Sequence, residues 1–341
     1  MRLPRTLLAA VLAAAALPAG TALAWGNYGH RIVGQLGAEA FGPEIPAFLR
    51  TPKAIDQIGE LAREPDRTKG AGYPHDADAD PDHFIDYSID GTILGGPRLD
   101  AMPRDRKDYE IAMAKIGKTA QQAGTLYYSL VDGWQHLTQD FAYYRLLRAG
   151  ETTAKSKADR AYFKRDRELR ELLILRDLGF WAHYVGDSSQ PLHATEHYNG
   201  WGEGPNPKGY TQEKIHEPVE ARFVERNVTK AMVKAKMYAP EACAPPIQIC
   251  VTRHIAQTGA RVEPTYQLWA EGGFKDGDPR GVAFSAEGVA VGASRLRDYV
   301  SAAWAASANS KAGYPNPQSV KEVEAGKPLD RGAMTGDQRG R

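Results

Sequence analysis

His183-Tyr184-Val185-Gly186-Asp187-Ser188-Ser189-Gln190-Pro191-Leu192-His193 closes the strongest helix pattern in this 341-residue chain. The run that leads into it, Ala158 to Asp187, carries Leu172, Leu173, Leu175, Leu178, Phe180 and Trp181 spread widely round its circumference. A helix apolar on so many sides predicts a central, buried element. Outward from it, apolar residues at helical spacing predict helices over Trp25 to Phe41, Ala54 to Arg63 and Arg104 to about Ala149, with a break at Gly124. Further helices are expected at Pro218–Lys236, Val251–Ala270 and Ser285–Ala306. Lys69 to Asp82 and Tyr198 to Tyr210, rich in Gly, Asp and Pro, read as an exposed loop and as a loop or short hairpin. There is no internal repeat and no second hydrophobic unit. The expectation is one mainly α domain over residues 25–306, with long Gly/Pro-rich loops. The stretch from Ser307 to Arg341 has few large apolar residues and reads as a disordered tail.

Composition narrows the classes. With 43 Lys+Arg against 42 Asp+Glu, 25% charged and 42% hydrophobic residues, the chain is no rod and no wholly disordered polymer. Near-zero net charge argues against a polybasic nucleic-acid coat or a cationic membrane binder. It leaves open the handling of phosphates through bound metal, because the metal brings its own positive charge. Arg2 and Arg5, the apolar run Leu7 to Leu17, and Ala22-Leu23-Ala24 form a signal-peptide pattern over residues 1–24. Cleavage after Ala24 makes Trp25 the free N-terminus of a secreted or periplasmic protein without a membrane anchor. In an oxidising compartment the only two cysteines, Cys243 and Cys250, are expected to form a local disulfide.

The histidines carry the chemistry. His183 and Asp187 stand four apart, on one face of their helix. His216 and Glu220 repeat that spacing, and imidazole with carboxylate suits Zn²⁺. Spacing alone is a weak signal, since such a pair is usually an ion pair or a local hydrogen bond. His136 and Asp140 share it with no other metal-type residue nearby in sequence. Pro218 fits only in a first helical turn, so the His216–Glu220 pair is expected at a helix start.

In chain order, Trp25-Gly26-Asn27-Tyr28-Gly29-His30, Asp82-His83-Phe84-Ile85-Asp86, His183-x-x-x-Asp187-x-x-Gln190-Pro191-Leu192-His193 and His216-x-x-x-Glu220 resemble the S1/P1 nuclease family. That family belongs to the zinc-dependent phospholipase C/P1 nuclease superfamily. The resemblance covers Trp25 to about Asn227, and the helical remainder loosely. It implies a helical domain of that type holding three Zn²⁺ ions. One ion is implied at His83, His183, Asp187 and a carboxylate ahead of His83. Asp66 fits that role best, with Asp56, Asp76, Asp78 and Asp80 as rivals. A second is implied at the α-amino and carbonyl groups of Trp25 and at His30, with Asp187 bridging. The third is implied at His193, His216 and Glu220. An amine ligates only when uncapped and deprotonated, so signal cleavage becomes a step in building the site.

The implied activity is hydrolysis of single-stranded DNA and RNA to 5′-phosphate products by a metal-activated hydroxide. It also allows removal of 3′-phosphates from mononucleotides. Nucleic acid and nucleotides are the expected partners, and no obligate protein partner is implied. Asp187 is expected to be catalytic as the bridge. Asp86 is expected to orient water or a cation, or to fix a histidine tautomer. Phe84 reads as a base-stacking platform or as packing behind the metals. Lys69 or Arg67 would contact phosphate, and Tyr198, Trp201 and Tyr210 would line the cleft. His75, His197 and His254 read as surface histidines, and the Asn227-Val228-Thr229 sequon matters only in a host that glycosylates. Two alternatives stand beside the nuclease. Glu220 is the acid of the phospholipases, where nucleases usually have Asp, so a zinc phospholipase C is one. An inactive zinc-binding scaffold is the other. The short Trp25-to-His30 interval and the His83-Phe84-Ile85-Asp86 form favour nuclease.

Overall fold

Close backbone contact at two glycines fixes how the first two helices cross. The computed structural model describes residues 25–336 apart from Glu203 and Ala244, so the expected signal peptide and its cleavage point lie outside the described residues. Helix α1 (Gly26–Glu39) meets α2 (Pro52–Leu61) where Gly34 lies against Gly59. A Cβ on Gly34 would stand 2.9 Å from Gly59 Cα, so no larger residue fits this crossing. Thr51 starts α2, its hydroxyl accepting from Ala54 N–H ahead of Pro52 in the first turn. The stretch expected to be loop from Lys69 to Asp82 is partly helical. After α3 (Glu64–Arg67) come α4 (His75–Ala79) and a 3₁₀ turn, Asp80–His83. Asp76 and Asp78 in the first turn of α4 favour its start.

Beyond α5 (Arg106–Ala114) and α6 (Ala120–Ala123), the expected break at Gly124 is present. Gly124 has φ 79°, and a Cβ there would lie 2.1 Å from Phe84 O. Phe84 O accepts from Leu126 N–H, and Ala123 O accepts from Asp86 N–H. The break therefore pins residues 83–86 in place.

α7 (Leu126–Thr153) and α8 (Lys157–Asp187) form a hairpin through a short connection ending at Ser156, whose hydroxyl caps α8. α8 is not buried throughout, as its apolar content led one to expect. Its C-terminal half buries Ile174, Leu178, Trp181, Ala182 and Val185, whereas Leu169, Leu172 and Leu173 face solvent beside the Arg167–Glu151 and Arg167–Glu171 pairs. Apolar residues all round a helix guarantee burial only where neighbours surround it.

The helix expected over Pro218–Lys236 is three pieces: a π turn, Pro218–Arg222, then α9 (Phe223–Asn227) and α10 (Lys230–Lys234), which Thr229 caps. The one expected over Val251–Ala270 is two, α11 (Gln248–Gly259) and α12 (Val262–Ala270), turning at Ala260 and Arg261. α13 (Pro279–Ser307) packs with α1, α7 and α8 around the main core, which includes Val33, Leu36, Leu137, Phe141, Leu178, Val289 and Leu296. The Cys243–Cys250 disulfide is formed.

The segment after Ser307 corrects the expectation of a disordered tail as far as residue 336. It forms a small hairpin, β1 (Lys311–Ala312) with β2 (Gln318–Ser319), then α14 (Val320–Glu324) and α15 (Arg331–Thr335). Ala312, Val320 and Val323 pack on Ala142 and Leu146 of α7. Arg145 adds hydrogen bonds to Ser307 Oγ, Trp304 O and Glu324. The apolar residues are few, but they share one face and a partner surface was waiting. Among the described residues, no helix is long and apolar enough to cross a membrane.

Candidate metal centre

Four segments converge beneath one cleft. His183 and Asp187 lie in the last turns of α8, His30 on α1, His83 at the end of the 3₁₀ turn, and Asp66 in α3. All five are buried. His30 stacks on His183 with ring centroids 3.8 Å apart, and His83 meets His183 edge-on at 4.7 Å. Asp187 Oδ2 is 3.1 Å from His83 Nδ1 and 3.4 Å from His183 Nε2, while its Oδ1 is 3.4 Å from His30 Nε2. Asp66 Oδ1 lies 3.8 Å from His183 Nε2 and 3.9 Å from His83 Nδ1. Of the carboxylates weighed ahead of His83, Asp66 is the one in the cluster. Asp56 instead accepts from Gln35 at the surface, Asp78 is exposed, and Asp76 and Asp80 line the cleft outside.

A second group adjoins. Glu220 Oε2 lies 2.8 Å from His216 Nε2 and 3.3 Å from His193 Nε2. Glu220 stands in the π turn, where Pro218 offers no N–H to an α-helical ladder, so the pair departs from mid-helix geometry as its proline implied. Backbone carbonyls set the ring orientations. Ala62 O accepts from His183 Nδ1 at 2.9 Å, and His83 O accepts from His193 Nδ1 at 2.7 Å. Each ring thus turns its Nε2 lone pair into the cluster. This is the tautomer-fixing role considered for Asp86, and main chain performs it.

Burial pulls the two kinds of group in opposite directions. It holds His30, His83 and His183 well below the usual imidazole range, His183 reinforcing the shift of the first two. It lowers His193 and pushes His216 down to about 3. The Asp187 carboxyl is driven well above the usual range by burial and then by Asp66, and Glu220 is raised by burial to about 7. The polar atoms of this cluster are also short of partners. His30 Nδ1 and Nε2, Asp66 Oδ2, Asp187 Oδ1, His193 Nε2, His216 Nε2 and Glu220 Oε1 are buried without a hydrogen bond. Buried polar groups are normally satisfied, so such a concentration calls for an explanation. Neutral imidazoles and carboxylates aimed at one another form the donor set that a divalent cation satisfies.

The ligand atoms fall into groups whose members all lie within 4.8 Å of one another: His30, Asp66 and His183; His83, His183 and Asp187; and His193, His216 and Glu220. The first two share His183 and make one contiguous cluster. These groupings could hold metal ions. Trp25 starts α1 beside them. Its buried indole donates to Gly186 O at 3.1 Å and Ser189 Oγ at 3.0 Å, next to Asp187 in sequence.

A cleft of about 540 Å³ opens above, walled by His83, His193 and His216 and by Phe84, Asp86, Lys69 and Tyr198. Phe84 is half-buried and faces this space. Asp86 is buried, its Oδ1 without a partner, and burial followed by repulsion from Glu196 holds its carboxyl well above the usual range. Lys69 Nζ lies 2.6 Å from Asp66, whereas Arg67 points outward to Glu64. Gln121 and Gln122 also line the cleft. Sequence reasoning missed them, because the only signal there is the Thr119–Gln122 capping box.

Three expectations are corrected. Trp201 and Tyr210 are buried with Tyr266 in a separate cluster, where their rings find apolar cover, and only Tyr198 lines the cleft. His254 is no surface residue: it lies on the inner face of α11, 2.6 Å from Tyr299 Oη. His197 is part-buried, its ring stacked on Trp201 at 3.9 Å, while His75 is exposed as expected. The His136–Asp140 pair also gains a third residue, since the hairpin brings Asp177 of α8 beside it. There, however, Arg170 binds Asp140 Oδ1 and Arg176 binds Asp177 Oδ1, each at 2.6 Å.

No family model matches the chain, and no match was found among curated proteins or solved structures.

Proposed function

We propose that this protein is an exported metal-dependent phosphodiesterase of the S1/P1 nuclease type, cutting single-stranded DNA and RNA to leave 5′-phosphates. One observation carries the reading: sequence-distant motifs supply a single buried set of neutral imidazoles and of carboxylates with oxygens left without a hydrogen bond, opening onto a cleft. In this reading three Zn²⁺ ions are held, one by Asp66, His83, His183 and Asp187, one by His30 with the main-chain amine and carbonyl of Trp25 and a shared Asp187, and one by His193, His216 and Glu220. When bound, such ions supply Lewis-acid charge to phosphate oxygens and acidify a water towards neutral pH.

The chain's own residues position and select. Ala62 O and His83 O keep His183 and His193 in the tautomer that presents Nε2 to the cluster. Lys69, at the cleft wall, adds positive charge beside a phosphate. Phe84 offers its face to a base, and stacking accepts any base that is unpaired, which selects single strands. Asp86 lines the cleft with a buried Oδ1 that has no partner, placed to orient what binds there. The Cys243–Cys250 disulfide suits an oxidising compartment.

Glu220 favours a second reading, a phospholipase C acting on phospholipid head groups. Protein beginning at Trp25, with no extra residue before it, separates the two on single-stranded oligonucleotide and phosphatidylcholine vesicles, each with and without a chelator. Chelator-sensitive cleavage of the oligonucleotide alone is the expected result. Cleavage of the lipid alone would make Glu220 the better guide. Silence on both with zinc bound would leave a scaffold.

A further inference from the structure

Arg295 and Arg297 lie close together in α13, both buried, yet only one has an acid against it. Arg297 Nε donates to Asp298 Oδ1 at 2.8 Å. Arg295, 2% exposed, donates to Ser188 O at 2.8 Å, Thr258 Oγ1 at 2.9 Å and His254 O at 2.9 Å. Every one of these acceptors is neutral. Among the described residues Arg295 makes no ion pair. Ser188 is the C-cap of α8, so the negative end of that helix offsets part of the charge. A guanidinium buried without a counter-ion remains costly.

Arg295 borders a cavity of about 410 Å³, distinct from the cleft above the metal centre. Arg261, Tyr238, Gln257 and Ser189 also line it. Arg261 Nη2 donates to Phe284 O at 3.1 Å and Nη1 lies 3.4 Å from Glu287, while its Nε is buried without a partner. Glu241 is the acid in the lining. Its side chain is 54% exposed and lies 3.5 Å from Arg253. The wall is thus rich in donors, and guanidinium groups present N–H forks that match a tetrahedral oxyanion.

We propose that this cavity binds a phosphate-class oxyanion between Arg295 and Arg261, the anion serving as the counter-charge Arg295 lacks within the chain. The cavity exceeds one phosphate in size, so a phosphate monoester also has room. The proposal does not depend on what the metal centre catalyses.

The test uses the metal-loaded protein. Calorimetric titration with inorganic phosphate and with adenosine 5′-monophosphate, and adenosine as the uncharged control, is run on wild type and on Arg261→Gln. Crystals soaked in arsenate locate the ion by its anomalous signal. The expected results are an arsenate peak between Arg261 and Arg295, no binding of adenosine, and binding at this site weakened on the order of tenfold in Arg261→Gln. Arg295→Met should abolish it, and Arg261→Gln keeps the proposal testable if that variant fails to fold. Tighter binding of the nucleotide than of phosphate would name a monoester as the ligand, and equal affinities the free ion. Three results overturn the proposal: arsenate at the histidine cluster alone, titrations unchanged in Arg261→Gln, or a peak without saturable binding, which would mean an adventitious ion only.

Discussion

His183/Asp187 and His136/Asp140 have the same spacing on the two helices of one hairpin, and they are chemical opposites. The first pair is fully buried, and among the described residues no arginine or lysine pairs with Asp187. In the second, the His136 side chain is 59% exposed, and Arg170 and Arg176 already supply positive charge to both acids of its triad. Spacing of four places two side chains on one face and does no more. A metal site needs buried carboxylates whose desolvation is left uncompensated. Lys69 lies 2.6 Å from Asp66, but among the described residues no arginine or lysine pairs with Asp187 or Glu220. His254 marks the other boundary, since it is buried but satisfied by Tyr299 and has no acid against it.

The largest expected effect is at Asp187. Asp187→Asn should weaken metal affinity by at least about a hundredfold, the upper end of what losing an outer partner alone costs, and hydrolysis should fall with it. Chelator competition measures this, and wild-type affinity in the variant would break the contrast between the pairs. Removing the metal with a chelator should come next. An ion at a thousandfold excess over its Kd stabilises by about 4 kcal/mol, which for a chain of this size lowers the melting temperature by about 6 °C on removal. Scanning calorimetry with and without chelator reads it, and an unchanged transition would count against a buried, structure-linked ion.

Asp140→Asn should leave metal content and hydrolysis alone but cost about 1–3 kcal/mol in denaturant unfolding, because Arg170 loses its carboxylate. Loss of metal in this variant would make the two pairs equivalent after all. His254 sharpens the comparison through pH. Burial, then Arg295, pushes its imidazole down to about 2, below its usual 6.5. The unfolded chain therefore takes up a proton on this residue first as pH falls. The stabilisation is complete above pH 6.5 and is lost at about 1.4 kcal/mol per pH unit on the way down. Stability against pH should be shallower by one proton in His254→Gln, and identical slopes would show that His254 is not kept neutral by the fold. Smallest of all, His136→Ala should change stability by no more than about 0.5 kcal/mol.

The helical class was legible because apolar spacing reports a face, and the residues that gather in the buried cluster were named because four motifs occur in order. Asp66 was only the best of several acids in the sequence. Its place became clear once α3 set it beside His83 and His183. What stayed hidden depends on neighbours. Leu172 and Leu173 count as apolar whether or not anything covers them, and here both stay exposed. Val320 and Val323 look too sparse to fold, yet they meet Ala142 and Leu146 across more than 170 residues of sequence. Asp177 reaches His136 only because α7 and α8 fold back on one another. Arg295 reads as an ordinary helical arginine until its neutral partners are known.

The most direct test is the tightly bound metal in purified protein beginning at Trp25, set beside Asp187→Asn, Glu220→Gln and His136→Ala. The account predicts close to three zinc equivalents in wild type and His136→Ala, and fewer in the other two. Metal-free wild-type protein after purification in zinc, or loss of metal in His136→Ala alone, would contradict it.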